Sequence, residues 1–142
     1  MEKERFQAVV EHVFPVSATE LWDAFATGEG FADVYAGVTV ECDWKVGSPI
    51  VWSGEWEGKK FRDEGTLQVY ERPALFVYTY WTSFWGPEPD PASIQTIRNE
   101  FIPVDGGTKL VITQTNIPSA ESRDHSAANW KELLEKLAAS FG

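Results

Sequence analysis

The sequence has one cysteine, Cys42, so no disulfide can form within the chain. There is no Cys-x-x-Cys pair, and its two histidines, His12 and His125, stand far apart, so neither a metal nor a cofactor is expected. Basic residues are also scarce: 12 Lys and Arg face 22 Asp and Glu, a formal net charge of −10. Such a surface repels phosphate backbones and anionic headgroups, which excludes nucleic acid and membrane surfaces as expected partners. No run approaches the roughly 18 apolar residues of a membrane span, and Met1 leads straight into Glu2-Lys3-Glu4-Arg5 without the apolar segment of an export signal. A cytoplasmic protein is therefore expected. A Gly-x-Ser-x-Gly elbow and a phosphate-cradling glycine loop are absent too, and Gly28-x-Gly30 lacks a preceding strand, so nothing supports serine hydrolysis or nucleotide binding.

What the chain has in quantity is aromatic: seven Trp, nine Phe and four Tyr in 142 residues. These must line a core, a pocket or an interface. The length fits one domain over 1–142, which buries roughly 68–70% of its unfolded surface without staples.

Phe6 to Phe14 alternates in the manner of a strand and ends at Pro15. Ser17-Ala-Thr-Glu20 is a capping box that starts a short helix from about Ala18 to Ala26, and a second short helical turn is expected over Phe31 to Tyr35. Six strands follow, near Val38 to Cys42, Ile50 to Trp56, Phe61 to Tyr70, Leu75 to Phe84, Ser93 to Pro103 and Thr108 to Asn116, separated by turn sequences such as Asp105-Gly106-Gly107. After Pro118 the apolar period becomes helical, with Trp130, Leu133, Leu134, Leu137 and Phe141 on one stripe. The sheet offers the only large apolar surface to cover that stripe. The expected architecture is α+β, a curved antiparallel seven-stranded sheet gripping a long C-terminal helix, with two short helices after the first strand.

This order resembles the helix-grip fold of the START-like superfamily, also called SRPBCC, which includes the birch pollen allergen. Local strings point to the heat-shock protein 90 ATPase activator homologues as the most similar family. Phe14-Pro-Val-Ser-Ala-Thr-Glu-Leu-Trp22-Asp-Ala-Phe resembles that family's opening, and Asp43-Trp-Lys-Val-Gly47 its Asp-x-Arg-x-Gly turn. Gly65-Thr-Leu, Arg72-Pro-Ala-Leu75, Gly107-Thr-Lys-Leu110 and Asn129-Trp130-x-x-Leu133 resemble later signatures in the same order. The resemblance implies a fold and a cavity between sheet and helix. It does not by itself imply a co-chaperone role.

In the register that resemblance implies, the inward positions are Ile50, Trp52, Leu75, Val77, Thr79, Trp81, Ile97, Asn99, Phe101, Leu110, Ile112 and Gln114. Trp52, Trp81, Phe101, Trp130 and Leu134 would supply apolar walls, Asn99 and Gln114 polar anchors, and Phe31 and Tyr35 the mouth. Each is equally explained as core packing or a self-satisfied amide. Tyr78 and Tyr80 fall on the other parity, as an outer row for a chaperone partner or a homodimer. His12 and His125 read either as structural histidines or as general bases, and Glu100 or Asp63 would gain a raised pKa if aimed into a cavity.

Three functions are open at this point. The first is a non-enzymatic domain enclosing a small apolar molecule, such as a lipid, acyl chain or polycyclic compound. The second is a polyketide-cyclase-like enzyme with one acid or base, which leaves enzymatic activity undecided. The third is an interaction module using the Tyr78/Tyr80 row.

Overall fold

The computed structural model describes residues 5–25, 39–56, 58–82 and 94–141. In chain order these form β1 (Phe6–Phe14), α1 (Ala18–Phe25), β2 (Thr39–Cys42), β3 (Pro49–Trp56), β4 (Lys59–Glu71), β5 (Leu75–Thr82), β6 (Gln95–Val104), β7 (Gly107–Ile117) and α2 (Ala120–Phe141). The strands make one sheet in the order β1-β7-β6-β5-β4-β3-β2, antiparallel throughout. The result is the expected helix-grip arrangement of a seven-stranded sheet, a short helix and a long C-terminal helix. The expected second short helix over 31–35 lies outside the described residues.

Local chemistry sets the element ends. The Ser17 hydroxyl accepts from the Glu20 amide at 3.2 Å, and Ser119 does the same for the Ser122 amide at 3.1 Å, so both helices begin at a capping serine. Between β6 and β7 the chain reverses at Asp105 and Gly106, the glycine holding φ at 82° where a side chain would be strained. Two other glycines are required by close approach. A Cβ on Gly65 would stand 1.9 Å from the Thr79 carbonyl oxygen, and one on Gly107 2.0 Å from that of Phe14. Both belong to the strings that carry the family resemblance, so those motifs have a steric cause.

The inner face is defined by what the helices touch. Trp22 on α1 stacks on Phe101 at 5.0 Å and on Phe76 at 6.1 Å. Phe76 lies opposite Asn99, Tyr78 opposite Ile97 and Tyr80 opposite Gln95, while Asn99, Ile97 and Phe101 lie opposite Ile112, Gln114 and Leu110. Directly opposed residues share a face. The inner face of β5 is therefore Phe76, Tyr78 and Tyr80, and Leu75, Val77, Thr79 and Trp81 occupy the outer face. This reverses the parity expected for that strand. The cause is that β5 reads Leu-Phe-Val-Tyr-Thr-Tyr-Trp, bulky at almost every position, with no polar alternation to fix its face. On β3, β6 and β7 the alternation is clean, and the inner residues are the expected ones.

A register shift between Leu67 and Val69 places Asp63, Gly65, Leu67 and then Tyr70 on the inner face of β4. On α2, Trp130, Leu134 and Leu137 are buried, and each such side chain contributes roughly 1.5–3 kcal/mol of burial. The charges on the opposite side, including Lys136 with Glu132 at 3.6 Å, add only about 0.3–0.5 kcal/mol. The apolar stripe is what docks the helix.

Candidate functional site

The inner face divides into an aromatic end and a polar end. At the aromatic end, beneath α1, Trp22 stacks on Tyr70 at 5.0 Å, and Trp44 packs on Tyr70 at 5.4 Å and Phe76 at 5.9 Å. Burial pushes the Tyr70 phenol above its ordinary range, opposed by the indole of Trp22. This end is filled by its own rings. Midway along the face, Asn99 is fully buried; its Nδ2 donates to the Phe76 carbonyl at 3.1 Å, and its Oδ1 has no partner among the described residues.

The polar end is built by four strands and α2. Trp130 Nε1 donates to Gln114 Oε1 at 2.7 Å, and Gln114 Nε2 donates to Gln95 Oε1. The two amides and the indole thus satisfy one another in a row joining α2, β7 and β6. Across from Gln95, Tyr80 donates its hydroxyl to Asp63 Oδ2 at 2.5 Å. Asp63 is only 8% exposed, and its second oxygen, Oδ1, has no hydrogen-bond partner among the described residues. Burial raises its pKa above the usual carboxylate value, against the smaller opposing effects of hydrogen bonds from Thr82 and Tyr80. Trp52 lies directly opposite Asp63 on β3 and packs against Tyr78 at 5.6 Å and Tyr80 at 5.5 Å.

The structure brings together Trp52, Asn99, Phe101, Gln114, Trp130 and Leu134 on the side enclosed by sheet and helix. Phe31 and Tyr35 lie outside the described residues. Trp81 is on the opposite face, for the reason given for β5, and there lines a shallow outer groove of about 330 Å³ with Arg62, Glu64 and Thr79. Tyr78 and Tyr80, expected outside, point inward. Glu100 lies opposite Leu75 on the outer face and pairs with Arg98 at 3.1 Å, so of the two carboxylates considered only Asp63 faces in. His12 is on the inner side of β1 but at the far end, stacked on Phe14 at 4.8 Å, and His125 is exposed.

Sequence reasoning passed over Gln95 and put Tyr78 and Tyr80 on the wrong face. Gln95 was legible from its parity with Ile97, Asn99 and Phe101. Among the described residues, no three His, Cys, Asp or Glu side chains gather as metal ligands, and no helix is long and apolar enough to cross a membrane.

Comparison with known proteins agrees with this architecture. The model of the family described as Activator of Hsp90 ATPase homolog 1-like protein matches residues 15–142. Among solved structures, ChR145 from Cytophaga hutchinsonii superposes with a TM-score of 0.85 at 29% identity, over 99% of this chain and 96% of that one. Mll3558 from Rhizobium loti gives 0.77 at 23% identity, over 98% and 99%. The protein Ara h 8.0201 gives 0.73 at 13% identity, over 97% of each chain, a likeness of fold alone. No curated protein matches the chain in sequence.

Proposed function

The chain belongs to the Activator of Hsp90 ATPase homolog 1-like family, and from that membership and the composition of its inner face we propose that it is a non-enzymatic domain enclosing a small hydrophobic ligand between sheet and C-terminal helix. The observation that carries this reading is the buried polar row at one end of an otherwise apolar face. Domain interiors place polar groups where something bonds them. Here Asp63 Oδ1 and Asn99 Oδ1 are buried acceptors that the described protein leaves unbonded. A lipid, acyl or polycyclic body would lie against Trp52, Phe101 and Leu134, with its polar group at the row.

At about 0.3 kcal/mol per heavy atom, a ligand of about 25 such atoms gains roughly 7.5 kcal/mol, a micromolar dissociation constant. The test is fluorescence titration with the neutral apolar probe N-phenyl-1-naphthylamine. Saturable enhancement at one probe per chain is expected, and no saturable enhancement in the folded protein would sink the proposal.

Acid–base catalysis is the second reading, because Asp63 is a buried carboxyl with a raised pKa. The self- or chaperone-association reading loses its sequence feature, since Tyr78 and Tyr80 face inward.

A further inference from the structure

Asp63 is a buried carboxyl with no basic partner among the described residues. The arginines nearest to it in sequence are engaged elsewhere: Arg62 pairs with Glu64 at 3.1 Å on the outer face, and Arg72 forks onto Asp23. Among the described residues, the inner face carries no Arg, its one Lys, Lys59, is exposed at the β3–β4 turn four residues before Asp63, and its one histidine, His12, stacks on Phe14 at the opposite end. Buried carboxylates are otherwise rare unless paired.

The surroundings of Asp63 are aromatic apart from Thr82, which lies directly opposite on β5 and whose hydroxyl also bonds the carboxyl. Trp52 stands directly across from it, Tyr80 holds Oδ2, and Tyr78 closes the group behind Trp52. The negative ring faces of Trp and Tyr attract organic cations, and a carboxylate beside them supplies the full charge. At the same end the amides of Gln114 and Gln95 and the indole of Trp130 are bonded to one another. What this end has unbonded is an acceptor, Asp63 Oδ1.

Resting on the ligand-binding reading above, we infer that the enclosed ligand is a hydrophobic amine, whose protonated N–H donates to Asp63 Oδ1 while Trp52 and Tyr80 flank the cation. The N–H completes the free valence of the carboxylate, and the pairing offsets the cost of keeping that charge away from water. A net charge of −10 adds a long-range attraction for cations and repels fatty-acid anions of the same length. Oδ1 is out of contact with solvent, so the amine reaches it by displacing side chains packed over it, and association is slower than diffusion.

The test uses three probes of one chain length, decylammonium, decan-1-ol and decanoate, titrated below their aggregation limits into the full chain and followed by tryptophan fluorescence. Decylammonium is expected to bind at least tenfold tighter than decanol, and decanoate weakest. Asp63→Asn is expected to bring decylammonium down to the affinity that decanol has for the same variant. If decanol binds and decylammonium is no tighter, or if Asp63→Asn keeps the preference, the amine inference is overturned while the enclosed-ligand reading stands. If none of the three binds, both fall. Should Asp63→Asn not fold, Trp52→Leu keeps the carboxylate and removes a ring face; it must lower the preference for decylammonium over decanol, and an unchanged preference overturns the inference.

Discussion

Tyr80 and Asp63 meet through a 2.5 Å hydrogen bond from phenol to carboxylate on the inner face of the sheet, joining β5 to β4 at the polar end. That contact fixes which face of β5 is inside. It also holds in place the one carboxylate that faces inward among the described residues, with an oxygen to spare.

Asp63 makes the protein's stability depend on pH in a direction opposite to most carboxylates. Its pKa is raised from 3.8 by burial, so between that value and the folded one the native state keeps a proton the unfolded chain releases. Its contribution to stability therefore falls as pH rises through that window and stays low above it. Asp63→Asn removes this dependence, and the variant is expected to gain on the parent by about 1.4 kcal/mol for each unit by which the folded pKa is raised. Urea unfolding of both proteins from pH 3 to 8 checks it; a stability difference that does not change with pH contradicts the assignment.

Gln114→Leu strips Trp130 Nε1 of its acceptor and Gln95 Oε1 of its donor. Each orphaned buried group costs about 1–3 kcal/mol. The double variant Gln114→Leu/Trp130→Phe is expected to lose less than the sum of the single losses, because the two side chains share one bond. Strict additivity in urea unfolding would rule out the shared row.

Gly65→Ala forces a Cβ into a backbone carbonyl, that of Thr79, which cannot swing away as a side chain would. A loss of about 1–3 kcal/mol or more is expected. Gly47→Ala meets no atom within 4 Å and suffers only from its φ of 92°, worth roughly 1–2 kcal/mol. Thermal melts that rank Gly65→Ala as the milder change count against the close β4–β5 approach.

Trp52→Leu and Trp81→Leu separate the two faces of the sheet. Trp52 is on the inner face and Trp81 lines the outer groove, so apolar probe affinity should drop about tenfold in the first and stay within about twofold in the second. The reverse order in a fluorescence titration would restore the parity expected from sequence.

Much of the fold was legible because its signals are local. Ser17 caps as its spacing implies, Asp105-Gly106 turns, and the stripe from Trp130 to Phe141 docks. The inward placement of Asn99 and Gln114 was legible because they interrupt otherwise apolar positions on strands with clean alternation. The face of β5 was not legible, since both of its sides are bulky. Asp63 was named beside Glu100 as a carboxyl that burial would raise, but in Lys-Lys-Phe-Arg-Asp-Glu-Gly, with the shift between Leu67 and Val69, no parity says which of the two faces in. Its role emerges only from the pairing of three strands.

The most direct measurement is mass spectrometry of the purified protein, native and then denatured. The account predicts a stoichiometric small molecule that stays with the folded chain and leaves on unfolding, and its class follows from its mass. A native mass equal to the bare chain, unchanged after incubation with apolar ligands, would contradict it and leave the inner face as a self-filled core.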